Sequence, residues 1–364
     1  MDLRRIAAVL SAAAMVAGCI DPSGERTRRD FEETGRADLG EVRVRIDQGV
    51  VIPSGENAPA LQVRFRANAP EISVTLTSEA SEARSVAIEL ENIAQDCEVS
   101  GVVDVRRWAK GLGFTVLLPA GAEVTVPVTR AALRVAATFH FAWVGDVQSG
   151  FEKFGRLREV VNADEGLEFV IFAGDVTQNG SDDEVAEFVA AADALKRPWY
   201  SVIGNHEMSF SSGGEGYQQR VGRLNTAFDY RGARFVLVDS ASATLADRVW
   251  DFLDEHLAGS YPPLRLMAMH VPPLDPQGLR DAGFTSRDEG ARVLARLVDG
   301  GVDLLLAGHL HTLRFSGNAG IQEVVSGNGG VATGDRFDGV GMHYLDVAAR
   351  PDLERFDVQV VRVE

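Results

Sequence analysis

Apolar and polar residues alternate with period two across residues 41–130. Val42, Val44 and Ile46 alternate with Arg43 and Arg45. Leu61, Val63 and Phe65 alternate with Gln62, Arg64 and Arg66, and Ile72, Val74 and Leu76 with Ser73, Thr75 and Thr77. Further runs at 86–90, 114–118 and 123–128 are separated by clusters of Gly, Pro, Asn and Ser. Short strands at this spacing predict an N-terminal all-β, Ig-like sandwich domain over residues 40–131. From Thr138 the period changes. Apolar runs at 139–144, 167–173, 199–203, 235–238, 266–269 and 304–306 read as buried strands. Between them, Phe151, Phe154, Leu157, Val160 and Val161 recur at helical spacing. Ser181 with Glu184 forms a capping-box signature, and Thr244-x-x-Asp247 and Ser286-x-x-Glu289 read as further helix starts. The second half, residues 138–364, is therefore alternating α/β with a β-rich end.

Length agrees with this division: 364 residues at about 100–200 per domain predict two or three domains. Apolar content of 45% can bury a sizeable core. A formal charge of −17 with no basic stripe argues against a nucleic-acid partner. It also gives an anionic substrate no help, so positive potential would have to be supplied locally. Two cysteines, Cys19 and Cys97, are too few for a disulfide framework.

Residues 1–18 carry Arg4 and Arg5 and then the apolar run 6–17, too short to span a bilayer comfortably. The run ends Val16-Ala17-Gly18-Cys19, which resembles the bacterial lipoprotein box. That resemblance implies removal of residues 1–18, lipidation of Cys19, and an exported protein anchored to a bacterial membrane. Ile20, where a retention signal would place Asp, favours the outer membrane or cell surface. Residues 19–39 are polar and mixed in charge and read as a flexible tether. About 20 residues of tether would span at most ~65 Å. Cys97 is left as a small buried hydrophobe. The β segment has no histidine and reads as a spacer or docking module, with Trp108 folded back from a loop.

Five groups of metal-ligand residues follow the apolar runs of the second half. They are Gly145-Asp146-Val147-Gln148, Gly174-Asp175, Gly204-Asn205-His206-Glu207, His270, and Gly308-His309-Leu310-His311. Asp, Asn and His suit hard or borderline divalent cations. Residues at the carboxyl ends of strands in open α/β sheets are where sites are built. In order, spacing and type these groups resemble the calcineurin-like metallophosphoesterase superfamily, from about Thr138 to the end. The resemblance implies a four-layer α/β/β/α sandwich holding two divalent cations, Mn, Fe or Zn. It implies a first cation on Asp146, Asp175, His311 and Gln148, and a second on Asp175, Asn205, His270 and His309. Asp175 would be shared, and His206 would act as general acid rather than ligand. Glu207 would orient its neighbours. The implied reaction is hydrolysis of a phosphomonoester or phosphodiester, from a small molecule or a headgroup, by metal-activated hydroxide.

Gln148 departs from the family pattern, which usually has His there; an amide oxygen is a weaker ligand for a transition metal. Gln178 stands where purple acid phosphatases carry Tyr, which disfavours an iron–tyrosinate centre. The stretch 174–180 lacks the Asp and Arg of calcineurin-type protein phosphatases. His140, His256 and His343 read as structural, and Ser326-Gly-Asn-Gly-Gly330 as a loop bordering the site. The competing reading is a surface lipoprotein with a vestigial metal site that works as a binding module.

Overall fold

The computed structural model describes residues 22–53, 61–130, 137–208, 213–260, 262–275, 278 and 282–363. The signal-peptide reading and Cys19 lie outside the described residues.

The period-two segment forms two sheets. The first has the order β1 (Arg36–Asp38), β2 (Val42–Ile46), β5 (Ile72–Ser78), β9 (Glu123–Val128). The second has the order β3 (Gly49–Ile52), β4 (Gln62–Ala67), β6 (Arg84–Glu91), β8 (Gly111–Leu118), β7 (Val103–Trp108). Pairing is antiparallel except between β4 and β6. Inward residues of both sheets, among them Val44, Val74, Phe65, Ile88 and Phe114, share one buried cluster. Cys97 is buried there, and burial pushes its thiol up to about 12. Trp108 ends strand β7 rather than sitting in a loop, and its ring covers Gly111 and Gly113 of β8.

The second half also contributes two sheets. One has the order β12 (Trp199–Ser201), β11 (Leu167–Phe172), β10 (Phe139–Val144), β19 (His343–Arg350), β20 (Arg355–Arg362). The other has the order β13 (Thr226–Tyr230), β14 (Ala233–Leu237), β15 (Leu264–Ala268), β16 (Leu304–Ala307), β18 (Ile321–Ser326), β17 (Leu313–Asn318). Strands β10, β11 and β12 are parallel, as are β14, β15, β16 and β18. The sheets meet through aromatic rings: Phe235 lies 5.3 Å from Phe141 and 5.6 Å from Phe169. Such contacts add about 0.5–1.5 kcal/mol each beyond area burial.

Helices cover the outer faces. Helices Phe151–Ala163 and Asp182–Asp193 pack on the first sheet through Phe154, Leu157, Val185 and Phe188. Helices Asp247–His256 and Arg287–Asp299 pack on the second through Val249, Leu253, Val293 and Leu297. The result is the expected mixed α/β four-layer fold.

Capping agrees in two cases and differs in one. Ser181 and Glu184 make the full capping box, and Ser286 accepts from Glu289 N. Thr244 does not cap its helix, whose N-cap is Ala246. Its hydroxyl instead donates to the Glu289 carboxylate at 2.8 Å.

The tether reading is corrected. Residues Pro22–Glu32 form a helix, α1, and Arg36–Asp38 form strand β1. Arg26 and Asp30 are fully buried within this polar stretch. Composition looked disordered because the helix docks through charges rather than through an apolar stripe.

Candidate metal centre

Every motif loop leaves the carboxyl end of a strand: Asp146 after β10, Asp175 after β11, Asn205 and His206 after β12, His270 after β15, and His309 and His311 after β16. Two sheets whose strands end at one edge therefore bring together residues up to 165 positions apart, 311 − 146. The loops are strained. Gln148, Ser149, Asp175, His309 and His311 all have φ between 46° and 67°, the left-handed region that non-glycine residues avoid. A Cβ on Gly308 would lie 2.5 Å from Asp146 Oδ1, so the His309-Leu310-His311 loop can approach that carboxylate only through glycine.

Two groups of potential ligand atoms result, each within 4.8 Å: Asp146, Asp175 and His311, and Asp175, His270 and His309. Asp175 belongs to both. His270 Nε2 lies 3.1 Å from Asp175 Oδ2, and His311 Nε2 lies 3.4 Å from Asp146 Oδ2. Asn205 Oδ1 lies 3.1 Å from His270 Nε2. The backbone orients the imidazoles. His270 Nδ1 donates to Ala173 O at 2.7 Å, and His311 Nδ1 to Asp335 O at 3.0 Å. A carbonyl only accepts, so Nδ1 carries the proton in both rings and Nε2 faces the carboxylates, as a metal-binding tautomer requires.

Asp146 and Asp175 are buried, and among the described residues neither meets Lys or Arg. Burial pushes the Asp175 carboxyl up. The charge and hydrogen bond of His270, with His206, more than reverse this and hold it well below the usual carboxylate range. Burial pushes His270 down, and Asp175 and Asp146 raise it to about 9. Binding a cation at Nε2 would require that ring to be neutral. Mixed O and N donors, a shared carboxylate and buried carboxylates without Lys or Arg beside them all fit two divalent cations.

His206 stands apart from both groups. Its Nδ1 donates to Gln178 O at 2.7 Å, leaving Nε2 turned inward, 3.8 Å from Asp175 Oδ2. The Gln148 amide nitrogen lies 3.1 Å from His206 Nε2, so the residue considered as a first-cation ligand contacts the candidate acid. Glu207 is fully buried. Oε2 accepts from Asp175 N and Gly204 N, and Oε1 from Thr177 N and Oγ1, all at 2.8–2.9 Å. Burial, then Asp175, pushes its carboxyl up to about 7.

The Ser326–Gly330 loop does border the site: a Cβ on Gly327 would meet His311 N at 2.8 Å and Asp146 Oδ1 at 3.4 Å. The three other histidines have structural partners: His140 meets Asp346 at 2.8 Å, His343 meets Ser326 Oγ at 3.0 Å, and the His256 carbonyl accepts from Arg234. Sequence reasoning missed the carbonyls of Ala173, Gln178 and Asp335, since backbone acceptors carry no residue-type signal.

The fold and the two ligand groups that share Asp175 fit a metal-dependent hydrolase. Residues 139–313 match the family model described as calcineurin-like phosphoesterase. This part of the chain is a metal-dependent phosphoester hydrolase domain. No curated protein matches the chain. Among solved structures, purple acid phosphatase PPD1 from yellow lupin (Lupinus luteus) seeds is similar at 13% identity and TM-score 0.54, over 81% of this chain and 70% of that one. A structure described as PhoD is similar at 12% identity and TM-score 0.48, over 88% and 85%. GAP50, described as the anchor in the inner membrane complex of Plasmodium, is similar at 12% identity and TM-score 0.46, over 63% and 90%. The lupin enzyme shares the fold.

Proposed function

We propose that the protein is an exported, lipid-anchored phosphoesterase that cleaves phosphomonoesters or phosphodiesters at a two-cation site. The sharing of Asp175 between two ligand groups carries this reading. Asp146, Asp175 and His311 would hold one cation, and Asp175, Asn205, His270 and His309 the other, with Mn, Fe or Zn all compatible with the donor set. When bound, the pair supplies positive charge for the phosphate oxygens and a water acidified near neutrality.

The chain's own residues do the rest. Glu207 fixes the Asp175, Thr177 and Gly204 backbones and the Thr177 hydroxyl through four hydrogen bonds. Gln178 O fixes the His206 ring, and His206 Nε2 is the atom that delivers a proton to the leaving oxygen. The Gln148 side-chain amide lies 3.1 Å from that nitrogen. The lipoprotein-type N-terminus supports export and attachment through Cys19, with the outer membrane or cell surface favoured by Ile20. The two antiparallel-rich sheets over residues 36–128 support an Ig-like sandwich that acts as a spacer.

His206→Ala tests the assignment. Turnover of a chromogenic phosphate ester should fall by about 10²–10⁴ with metal content unchanged. Undiminished turnover in that variant would sink the acid role, and absence of turnover in the unmodified protein would favour the vestigial-site reading.

A further inference from the structure

The docked helix α1 restricts where the site can sit relative to residue 19. A flexible segment of about 20 residues would let the catalytic half face any direction up to ~65 Å from a membrane. Helix α1 removes that freedom. Arg26 Nε meets Asp239 Oδ2 at 2.7 Å and Nη2 meets Oδ1 at 3.1 Å, a two-pronged pair with both side chains 1% exposed. Asp30 accepts from Leu224 N at 3.1 Å, from Asn225 N at 2.9 Å and from Asn225 Nδ2 at 3.1 Å. Gln218 Nε2 donates to Arg26 O, and Phe31 packs on Phe252 with ring centres 5.6 Å apart. Separating the two would leave a buried charge without its partner, so α1 moves with the catalytic half.

The docking point lies on the rim of the metal centre. Asp239 and Ser242 follow β14 at the carboxyl-end edge that carries the metal motifs. Arg26 Nη2 reaches Ser242 Oγ at 3.2 Å, and Ser242 Oγ reaches Met208 Sδ at 3.7 Å. Met208 closes the short 3-10 turn that His206 opens. Arg29 Nη2 donates to Gly213 O, and Arg29 pairs with Glu215. Pro22 is one helical turn before Arg26, about 6 Å along the axis. Cys19 precedes Pro22 by three residues, at most about 10 Å of chain.

We infer that the carboxyl-end edge of the catalytic half rests against the bilayer, and that its substrate is a phosphate ester seated in that same bilayer surface, a lipid headgroup ester. This rests on the proposed lipidation of Cys19. A lipid held within about 16 Å of chain from Arg26 keeps the rim at the headgroup level. An ester in the same leaflet then meets the site at a raised effective concentration, while a soluble ester gains nothing.

The test uses the full lipidated chain in neutral phospholipid vesicles, with the lipid on Cys19 verified by mass. Two probes share one reacting group: a long-chain alkyl p-nitrophenyl phosphate partitioned into the vesicles, and methyl p-nitrophenyl phosphate in solution. The anchored protein should prefer the long-chain probe by about tenfold or more over the unanchored Cys19→Ser chain. Inserting 20 Gly/Ser residues between Asp21 and Pro22 should abolish most of that preference while leaving methyl-ester turnover unchanged. A preference that is absent, or that survives the insertion, with lipid present and methyl-ester turnover intact, overturns the inference. A chain without lipid on Cys19 overturns the anchoring reading and the inference with it. Loss of methyl-ester turnover in the unmodified chain would instead count against the enzymatic reading.

Discussion

Glu207 is the residue on which the site's backbone converges. Its two oxygens accept four donors from three residues in two loops, and each oxygen accepts two. Glu207→Ala should leave those donors unpaired in a buried place and lower stability by roughly 3 kcal/mol, read as a shift in the urea midpoint. It should also release metal, because Asp175 N is one of the four. Gln148 makes a different prediction. If its work is to hold His206 through the 3.1 Å contact, Gln148→Ala lowers turnover about tenfold and leaves bound metal unchanged. Loss of one metal per chain in that variant would place Gln148 among the ligands instead. The donor types were legible in the sequence because Asp, Asn and His follow apolar runs. The partners of His206 were not, since one is a carbonyl and the other is an amide that the family pattern assigns elsewhere.

Among the elements, those driven by apolar periodicity were legible and those driven by charge were not. Strands β2, β5 and β9 follow their alternation directly. Strand β7, fully exposed at a sheet edge, has no buried face to impose a pattern. Helix α1 was misread for the opposite reason: its buried groups are Arg26 and Asp30, which composition counts as solvent-seeking. Burial pushes the Asp30 carboxyl up to about 6, with Arg223 and three donors pulling it back. The sign follows from proton uptake. Between the unfolded value of about 4 and the folded value of about 6 the folded chain binds more protons, so stability falls as pH rises through that window and is level above it. Thermal melts of Asp30→Asn across pH 4–6 should lack this component of the slope. An identical slope in both proteins would show that Asp30 does not titrate there.

At the scale of the whole molecule, two sheets with strands ending at one edge gather five motif loops. Helix α1 joins that body through the buried Arg26–Asp239 pair, and the β sheets of residues 36–128 share one buried apolar cluster with it, with charged contacts alongside. Arg66, for example, pairs with Asp193 at 2.7 Å across the two halves while its guanidinium stacks 5.1 Å from the Trp199 ring. The central claim is that this edge holds two working cations. The most direct measurement is metal content and phosphate-ester hydrolysis on one purified sample of the chain, with and without added Mn²⁺. The account predicts about two divalent metals per chain and turnover of a chromogenic monoester or diester, both lost on chelation and restored together. One metal or none, with no turnover and no rescue by Mn²⁺, would contradict it and turn attention to the sandwich sheets as the working part of the protein.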